Sequence, residues 1–378
     1  MFPTLRDAAG AMPWLILAVS RLASAACECG YSVNKTTDAT FALYTELMEN
    51  DFLHTKTENI SRNGWQAQEY NVSSEAARGP YGKQFFVENI QTNPFKDSDA
   101  WSGDTEETGD PGLQMWIRGD HSHGYVSGAE MATHRNDLQH GSFRAGLKLS
   151  GQSGTCGAFF WFYNNSQEID LEFLSKQFNE SQGAVNLVLQ TPQSVVHGYD
   201  ASNTSEFEVL PLPFRPDERY HEYRFDWTPG KVEFYVDGEF RHEMTENVPT
   251  QPGRMFFNHW SNGDPLWSAG PPGQDTAMTI SYLKAYFNST DEDRNDAYRE
   301  RCPTFDPAKV CEIPSQTVAP DASSGTDAMK TYFFTLDEGD KTPGQDVFPT
   351  TNGASSLVGA PSTCIALLVT LFSLALAI

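Results

Sequence analysis

The stretch Glu168-Ile169-Asp170-Leu171-Glu172-Phe173 alternates acidic and apolar residues without a break. Successive side chains of a β-strand point to opposite faces. The three carboxylates therefore share one face, and Ile169, Leu171 and Phe173 share the other. The oily face has to be covered by a second sheet. The acidic face sets three like charges side by side, which opposes folding. A solvated acidic face is the plain reading; the neighbouring residues favour a chemical use. The run before it, Phe159-Phe160-Trp161-Phe162-Tyr163, is continuously aromatic, and Asn164-Asn165-Ser166 between the two is a turn. The pair is expected to form a hairpin that sets rings beside carboxylates.

From residue 27 to about 287 the chain reads the same way. Residues 141–149, 158–163, 168–174, 184–190, 220–227, 231–236 and 279–287 are short β-branched or aromatic runs. Turn residues bound them, among them Thr228-Pro229-Gly230 and the hairpin signal Asp237-Gly238. Helix is expected only at 217–221 or 291–300. Strands at this spacing imply an all-β sandwich or jelly roll. With 378 residues, 39% of them hydrophobic, there is enough for a sizeable core. Lys and Arg number 26 against 50 Asp and Glu, a net charge of −24. That excess repels polyanions, which argues against nucleic acid and leaves neutral substrates open. No G-x-S-x-G, HExxH or CxxC spacing points to a serine hydrolase or a zinc site.

Two carboxylates flanking a scissile bond are the machinery of glycoside cleavage. Glu168 and Glu172 have Cα atoms about 13 Å apart along a strand. Their side chains can lean together into the range of a retaining mechanism. One attacks the anomeric carbon; the other protonates the leaving oxygen and later activates water. Asp170 lies between and can share the nucleophile's proton load. Mutual repulsion is expected to raise at least one pKa of the coupled set.

These residues resemble glycoside hydrolase family 16, in its lichenase-like branch. EIDLEFL at 168–174 is similar to that branch's catalytic strand, with no residue inserted between Asp170 and Glu172 as in the laminarinase-type branch. HGSFRAGLKLS at 140–150, GTCGAFFWFY at 154–163, HEYRFDW at 221–227, VEFYVDG at 232–238 and ENVPTQPGRMFFNHW at 246–260 resemble other strands of the family, in order. The likeness runs from about Tyr125 to Phe287. CECG at 27–30 with Tyr31 is similar to the opening of secreted fungal members. The resemblance implies a concanavalin A-like jelly-roll sandwich of two antiparallel sheets with a concave glucan-binding cleft. It implies Glu168 as nucleophile, Asp170 as assisting acid and Glu172 as general acid/base. Trp260 falls where the family has a sugar-stacking Trp, and Asn258 shares its strand face. Glu130 in VSGAEMAT (126–133) matches a substrate-binding Glu of lichenases. Two positions on, lichenases have Arg where this chain has Ala132, a departure that bears on mixed-linkage specificity. Trp267 is expected at the far end of the cleft, and His221, His242 and His259 are expected to be structural. No cofactor is required; some members bind a structural calcium, for which the sequence marks no site. The activity implied is that of a monomeric, retaining endo-β-glucanase on neutral cell-wall β-glucan, β-1,3/1,4 or β-1,3. The same acids would serve a wall-remodelling transglycosylase. A glucan-binding wall protein without turnover is the alternative of a different class.

Residues 1–25 read as a signal peptide: Arg6 precedes an apolar run at 11–19, and Ala23-Ser24-Ala25 is a cleavage site. At the other end, CIALLVTLFSLALAI (364–378) is 15 uncharged residues, short of the ~20 of a bilayer span. Small residues Asn352-Gly353-Ala354 and a weakly polar spacer precede it. This is the arrangement of a GPI-anchor signal over 353–378, attached at Asn352 or alternatively at Gly353 or Ser355; a short tail anchor competes. A secreted, cell-surface protein held at plasma membrane or wall is expected. Seven sequons, at Asn34, Asn59, Asn71, Asn164, Asn179, Asn203 and Asn288, agree with that compartment. Cys27 and Cys29 open the mature chain, and Cys302 and Cys311 close its folded part. Bridges between these clusters would staple the ends, in an order the sequence does not reveal. Cys156 is left over, read as a buried small hydrophobe; Cys364 leaves with the tail. The expected organisation is a catalytic domain at 26–290, a closing segment at 291–314 and a Ser/Thr/Pro/Gly-rich stalk at 315–352. Thr331-Tyr332-Phe333-Phe334 is unusual for a linker and is a candidate to dock on another part of the protein.

Overall fold

The computed structural model describes residues 27–337 and 345–348. The signal-peptide and anchor readings, with Asn352 and Cys364, lie outside the described residues. In chain order the strands are β1 (Tyr31–Ser32), β2 (Glu46–Asp51), β3 (Trp65–Ala67), β4 (Tyr70–Val72), β5 (Gly82–Phe85), β6 (Ile90–Asn93) and β7 (Gly112–Ile117). There follow β8 (Tyr125–Thr133), β9 (Leu138–Lys148), β10 (Cys156–Asn164), β11 (Gln167–Leu174), β12 (Gly183–Gln190), β13 (Phe207–Leu212) and β14 (His221–Thr228). The last are β15 (Lys231–Val236), β16 (Glu239–Met244), β17 (Arg254–Trp260), β18 (Thr276–Ser289), β19 (Cys311–Glu312) and β20 (Asp346–Phe348). Short helices α1 (Ser74–Ala77), α2 (Pro192–Val196), α3 (Glu292–Arg301) and α4 (Phe334–Asp337) lie between or after them.

Two sheets form a sandwich. The cleft sheet runs β13-β12-β11-β10-β17-β8-β5-β4, with β3 also on β8. The opposite sheet runs β16-β15-β14-β9-β18-β2-β20, with β7 on β18 and β6 on β7. Pairing within the two sheets is antiparallel, as expected, except where β5 joins β8 and β20 joins β2 in parallel. The alternation seen in the sequence decides what lies between the layers. Phe159, Trp161, Ile169, Leu171 and Phe173 from one sheet meet Phe143, Tyr223, Phe225, Trp227 and Leu283 from the other, all buried. Rings carry the contact across: Phe159 of the cleft sheet lies 5.6 Å between centroids from Phe225 of the opposite sheet, while Phe143 with Phe225 at 5.0 Å and Phe159 with Phe257 at 5.2 Å are cross-strand pairs within their own sheets. Such pairs add to the stabilisation from burial itself.

The helix expected at 291–300 forms as α3, with Asp291 accepting from the backbone N–H groups of Asp293 and Arg294. Residues 217–219 form a turn, not a helix, as the chain enters β14. The two bridges are Cys27–Cys311 and Cys29–Cys302, closing separations of 284 and 273 residues. The stalk expected over 315–352 is corrected for its described part. Residues 313–337 lie across the outer face of the opposite sheet, with Ile313, Ala322, Ala328, Phe333 and Phe334 buried. Two observations give the physical reason. The covered face carries charged side chains that need partners: Arg144 donates to the Pro314 carbonyl at 2.8 Å, and Lys284 to the Tyr332 carbonyl at 3.2 Å. The segment also brings apolar side chains of its own to bury.

Candidate active site

β11 is paired on both edges, which fixes what surrounds each acid. Glu172 lies opposite Ala158 and Asn186, Asp170 opposite Phe160 and Val188, and Glu168 opposite Phe162 and Gln190. Asp170 is therefore held between an aromatic and an aliphatic side chain and is 4% exposed. Burial, with the charges of Glu168 and Glu172, pushes its carboxyl well above the usual range. Glu168 is pushed up to about 7, first by burial and further by the charges of Glu172 and Glu130, while its hydrogen bond with Asp170 works the other way. The same bond raises Asp170. The two carboxyls share a hydrogen bond, and burial holds both above the usual carboxylate range. Burial also raises Glu172, against the Cys156 thiol, the Trp267 side chain and the positive charges of Lys83 and Arg78.

The acids line a cleft of about 540 Å³ whose wall includes Asn258, Trp260 and Trp267. Trp267 hydrogen-bonds Glu172 and lies 6.3 Å from Phe207 between centroids, so the 263–270 loop leans over β11. Trp260 packs with Phe85, Cys156 and Leu174, and the Lys83 ammonium sits over its ring at 4.1 Å. Lys83 and Trp260 thus line the cleft together. Glu130 stands behind the wall. It accepts from the Tyr70 hydroxyl at 2.8 Å and from Asn258 Nδ2 at 3.4 Å, and so positions Asn258. Asn258 Oδ1 is buried and lacks a protein partner. Ala132 lies opposite Phe256 on this face, and Phe256 stacks on Phe160 at 5.0 Å.

Lys83, Arg78, Tyr199 and Gln190 also line the cleft, and sequence reasoning passed over all four. Lys83 comes from β5 (GKQF), a strand too short and polar to show alternation. Arg78 follows α1 in a left-handed conformation. Its guanidinium donates to the Gly198 carbonyl and lies 4.7 Å from the centre of the Tyr199 ring. Those residues belong to the β12–β13 connection, at the far end of the sheet order from β5.

His221 pairs with Asp237 at 2.6 Å, and His259 with the Met115 carbonyl at 2.8 Å. Burial pushes His259 down to about 4, so it stays neutral in the core. His242 lies on β16, outside the cleft. Among the described residues no cluster of three or more His, Cys, Asp or Glu is arranged to hold a metal ion, so no calcium ligands are assigned. Asn71, Asn164, Asn179 and Asn203 are exposed, and Asn34, Asn59 and Asn288 half-buried. Asn288 is already engaged, accepting from the Thr45 amide and donating to the Leu43 carbonyl.

The model of the glycosyl hydrolases family 16 matches residues 93–284. The beta-glucanase of Paenibacillus polymyxa is 29% identical over 131 residues, covering 33% of this chain and 50% of that protein. The beta-glucanase of Bacillus subtilis (strain 168) is 32% identical over 127 residues, covering 32% and 47%. The chain thus spans about half the length of the curated relatives it matches. A solved prokaryotic beta-1,3-1,4-glucanase (lichenase) from a mouse hindgut metagenome is 20% identical, with a TM-score of 0.47, covering 64% of this chain and 98% of that one.

Proposed function

The chain belongs to the glycosyl hydrolases family 16, and on that premise we propose that it is a retaining endo-β-glucanase acting on neutral β-glucan, β-1,3/1,4- or β-1,3-linked. The observation that carries the reading is the trio of acids on one face of β11, lining the cleft, with Asp170 hydrogen-bonded to Glu168 between its neighbours. Glu168, ionised, attacks the anomeric carbon as Glu172 gives its proton to the departing glycosidic oxygen. Asp170 donates to Glu168 and lets go as charge leaves that carboxylate for the new ester bond. Glu172, now ionised, takes a proton from water. The resulting hydroxide displaces Glu168 with a second inversion, so the configuration is retained. Asn258 Oδ1, buried without a protein partner, is suited to accept from a sugar hydroxyl. The two bacterial relatives named beta-glucanase support the substrate class.

Product analysis on mixed-linkage glucan, laminarin and xyloglucan, with and without a labelled acceptor, tests this reading. Glu168→Gln is expected to abolish products by 10³-fold or more, roughly, while leaving the fold intact. Turnover at the wild-type rate in that variant would remove Glu168 from the mechanism. Labelled products longer than the substrate would make the enzyme a transglycosylase; glucan binding with no product from any polymer would make it a wall-binding protein. We further place the protein at the cell surface, secreted and monomeric, on a GPI anchor at Asn352. The leader-like run at 11–19, the uncharged tail at 364–378 and the sequons support this. A phosphatidylinositol-cleaving lipase is expected to release it from membranes. Retention with the C-terminal tail intact would reject the anchor.

A further inference from the structure

Cys156 is a free thiol with no exposed surface, and its neighbours are not those of an ordinary core cysteine. It opens β10 on the same face as the acids, directly opposite Leu174 on β11 and Trp260 on β17. Its Sγ donates to Glu172 Oε1 at 3.5 Å, a normal length for a sulfur donor. The contact is diagonal across the β10–β11 pair. Ala158, which faces Glu172 squarely, is small and leaves room for the carboxyl to lean towards the sulfur. A valine at 156 could fill the space beside Phe85, Leu174 and Trp260 but would have no proton to give. Only a donor does what the thiol does here.

We propose that Cys156 is a positioning residue for the reaction: its S–H holds one oxygen of Glu172, so that the other is turned to the glycosidic oxygen. The inference rests on Glu172 being the acid/base. The thiol performs no chemistry of its own, and burial raises its pKa, so it remains S–H as Glu172 cycles between acid and carboxylate. The groups that bear on Glu172 come from several elements. Glu168 and Asp170 share its strand, Lys83 reaches it from β5, Arg78 from beyond α1 and Trp267 from the 263–270 loop. Among these Cys156 and Trp267 are the neutral donors. Each favours the ionised carboxylate.

Two measurements test the role. The first needs no substrate. The S–H stretching band of the full chain is followed against pH by infrared spectroscopy, in a Cys364→Ser background so that one thiol reports. The band is expected to shift as Glu172 ionises and to stay fixed in Glu172→Gln. A band indifferent to pH overturns the proposal. The second is the pH profile of kcat/KM. Losing the donor in Cys156→Ala is expected to move the basic limb up by about half a pH unit or more, and to lower kcat more than it raises KM. Cys156→Ser, which keeps a donor, is expected to return the limb towards wild type. A packing role alone would lower stability and leave the limb where it was, and that outcome also overturns the proposal. Glucan turnover surviving in Glu172→Gln would instead remove the acid/base assignment, and the thiol's role with it.

Discussion

Glu168, Asp170 and Glu172 set function against stability within five consecutive residues. Glu168 and Asp170 have folded pKa values raised above those of the unfolded chain, so the native state holds protons that the unfolded state releases. The associated stability is complete below the ordinary carboxylate range and is lost as pH rises through the folded values, about 7 for Glu168. Asp170→Asn removes one of these groups without changing its shape. It should raise the melting temperature at pH 8 by roughly 2–4 °C, on the order of 1 kcal/mol, and leave it nearly unchanged at pH 4. Calorimetry at the two pH values checks this; an equal shift at both would place the effect outside the titration. Activity should fall in the same variant, because an amide N–H is a weaker donor to the Glu168 carboxylate than a carboxylic acid O–H. The acids were legible in the sequence because alternation alone puts them on one face. Cys156 was legible only as a buried residue. Its place beside Glu172 depends on the β10–β11 register and on Ala158 being small, and neither can be read from spacing.

Among the elements, each of the seven strand runs marked in the sequence forms a strand, because each carries β-branched or aromatic residues that pack between sheets. The missed strands lie mostly before residue 120, and their sequences show why. YNV in β4 buries little, GKQF in β5 buries only its two ends, and neither offers a periodic signal. Their contribution is positional: with α1 they form one rim of the cleft. The β12–β13 connection forms the other, and Arg78 joins the two through Gly198 and Tyr199. The bridge crosses a cleft whose floor is β11, β10 and β17, so a long chain entering sideways has to part it. Its closed population reduces apparent affinity for polymer by the open fraction. Arg78→Ala should therefore raise the ratio of kcat/KM on polymeric glucan to kcat/KM on a short oligosaccharide by about 3- to 10-fold, the worth of one charge-assisted bond and a cation–π contact at an exposed site. Parallel kinetics on the two substrates measure the ratio, and an unchanged ratio would mean that the rims already stand apart in solution.

At the scale of the whole molecule, the cysteine clusters announced that the ends meet, and both bridges do join residues 27–29 to residues 302–311. In the chain-entropy model, closing a loop this long is worth about 5 kcal/mol for the first bridge, and much less for a second beside it. The segment after Pro314 was misread because Ser, Thr, Pro, Gly and Asp also compose linkers. Its aromatic residues carry the difference. Phe334 is 2% exposed and lies 5.2 Å from Tyr31 and 6.0 Å from Tyr286, within the cluster that includes Cys27, Leu47 and Ile313. Its backbone N–H donates to Glu49 on β2 at 3.1 Å. The strap therefore seals the outer face of the opposite sheet at the place where the staple ties the ends. Phe334→Ala keeps the backbone bond and removes the ring, so the cost should be that of a core cavity, about 3 kcal/mol in denaturant unfolding. Glucan turnover at 25 °C should stay at the wild-type level, because the cleft lies on the other sheet with the packed core between. A loss below about 1 kcal/mol would return the segment to the status of a linker resting on the surface. A full loss with activity intact would make residues 315–337 part of the folding unit, so that a catalytic domain cut at residue 290 or 314 would be destabilised by the missing cover and not by any damage to its acids.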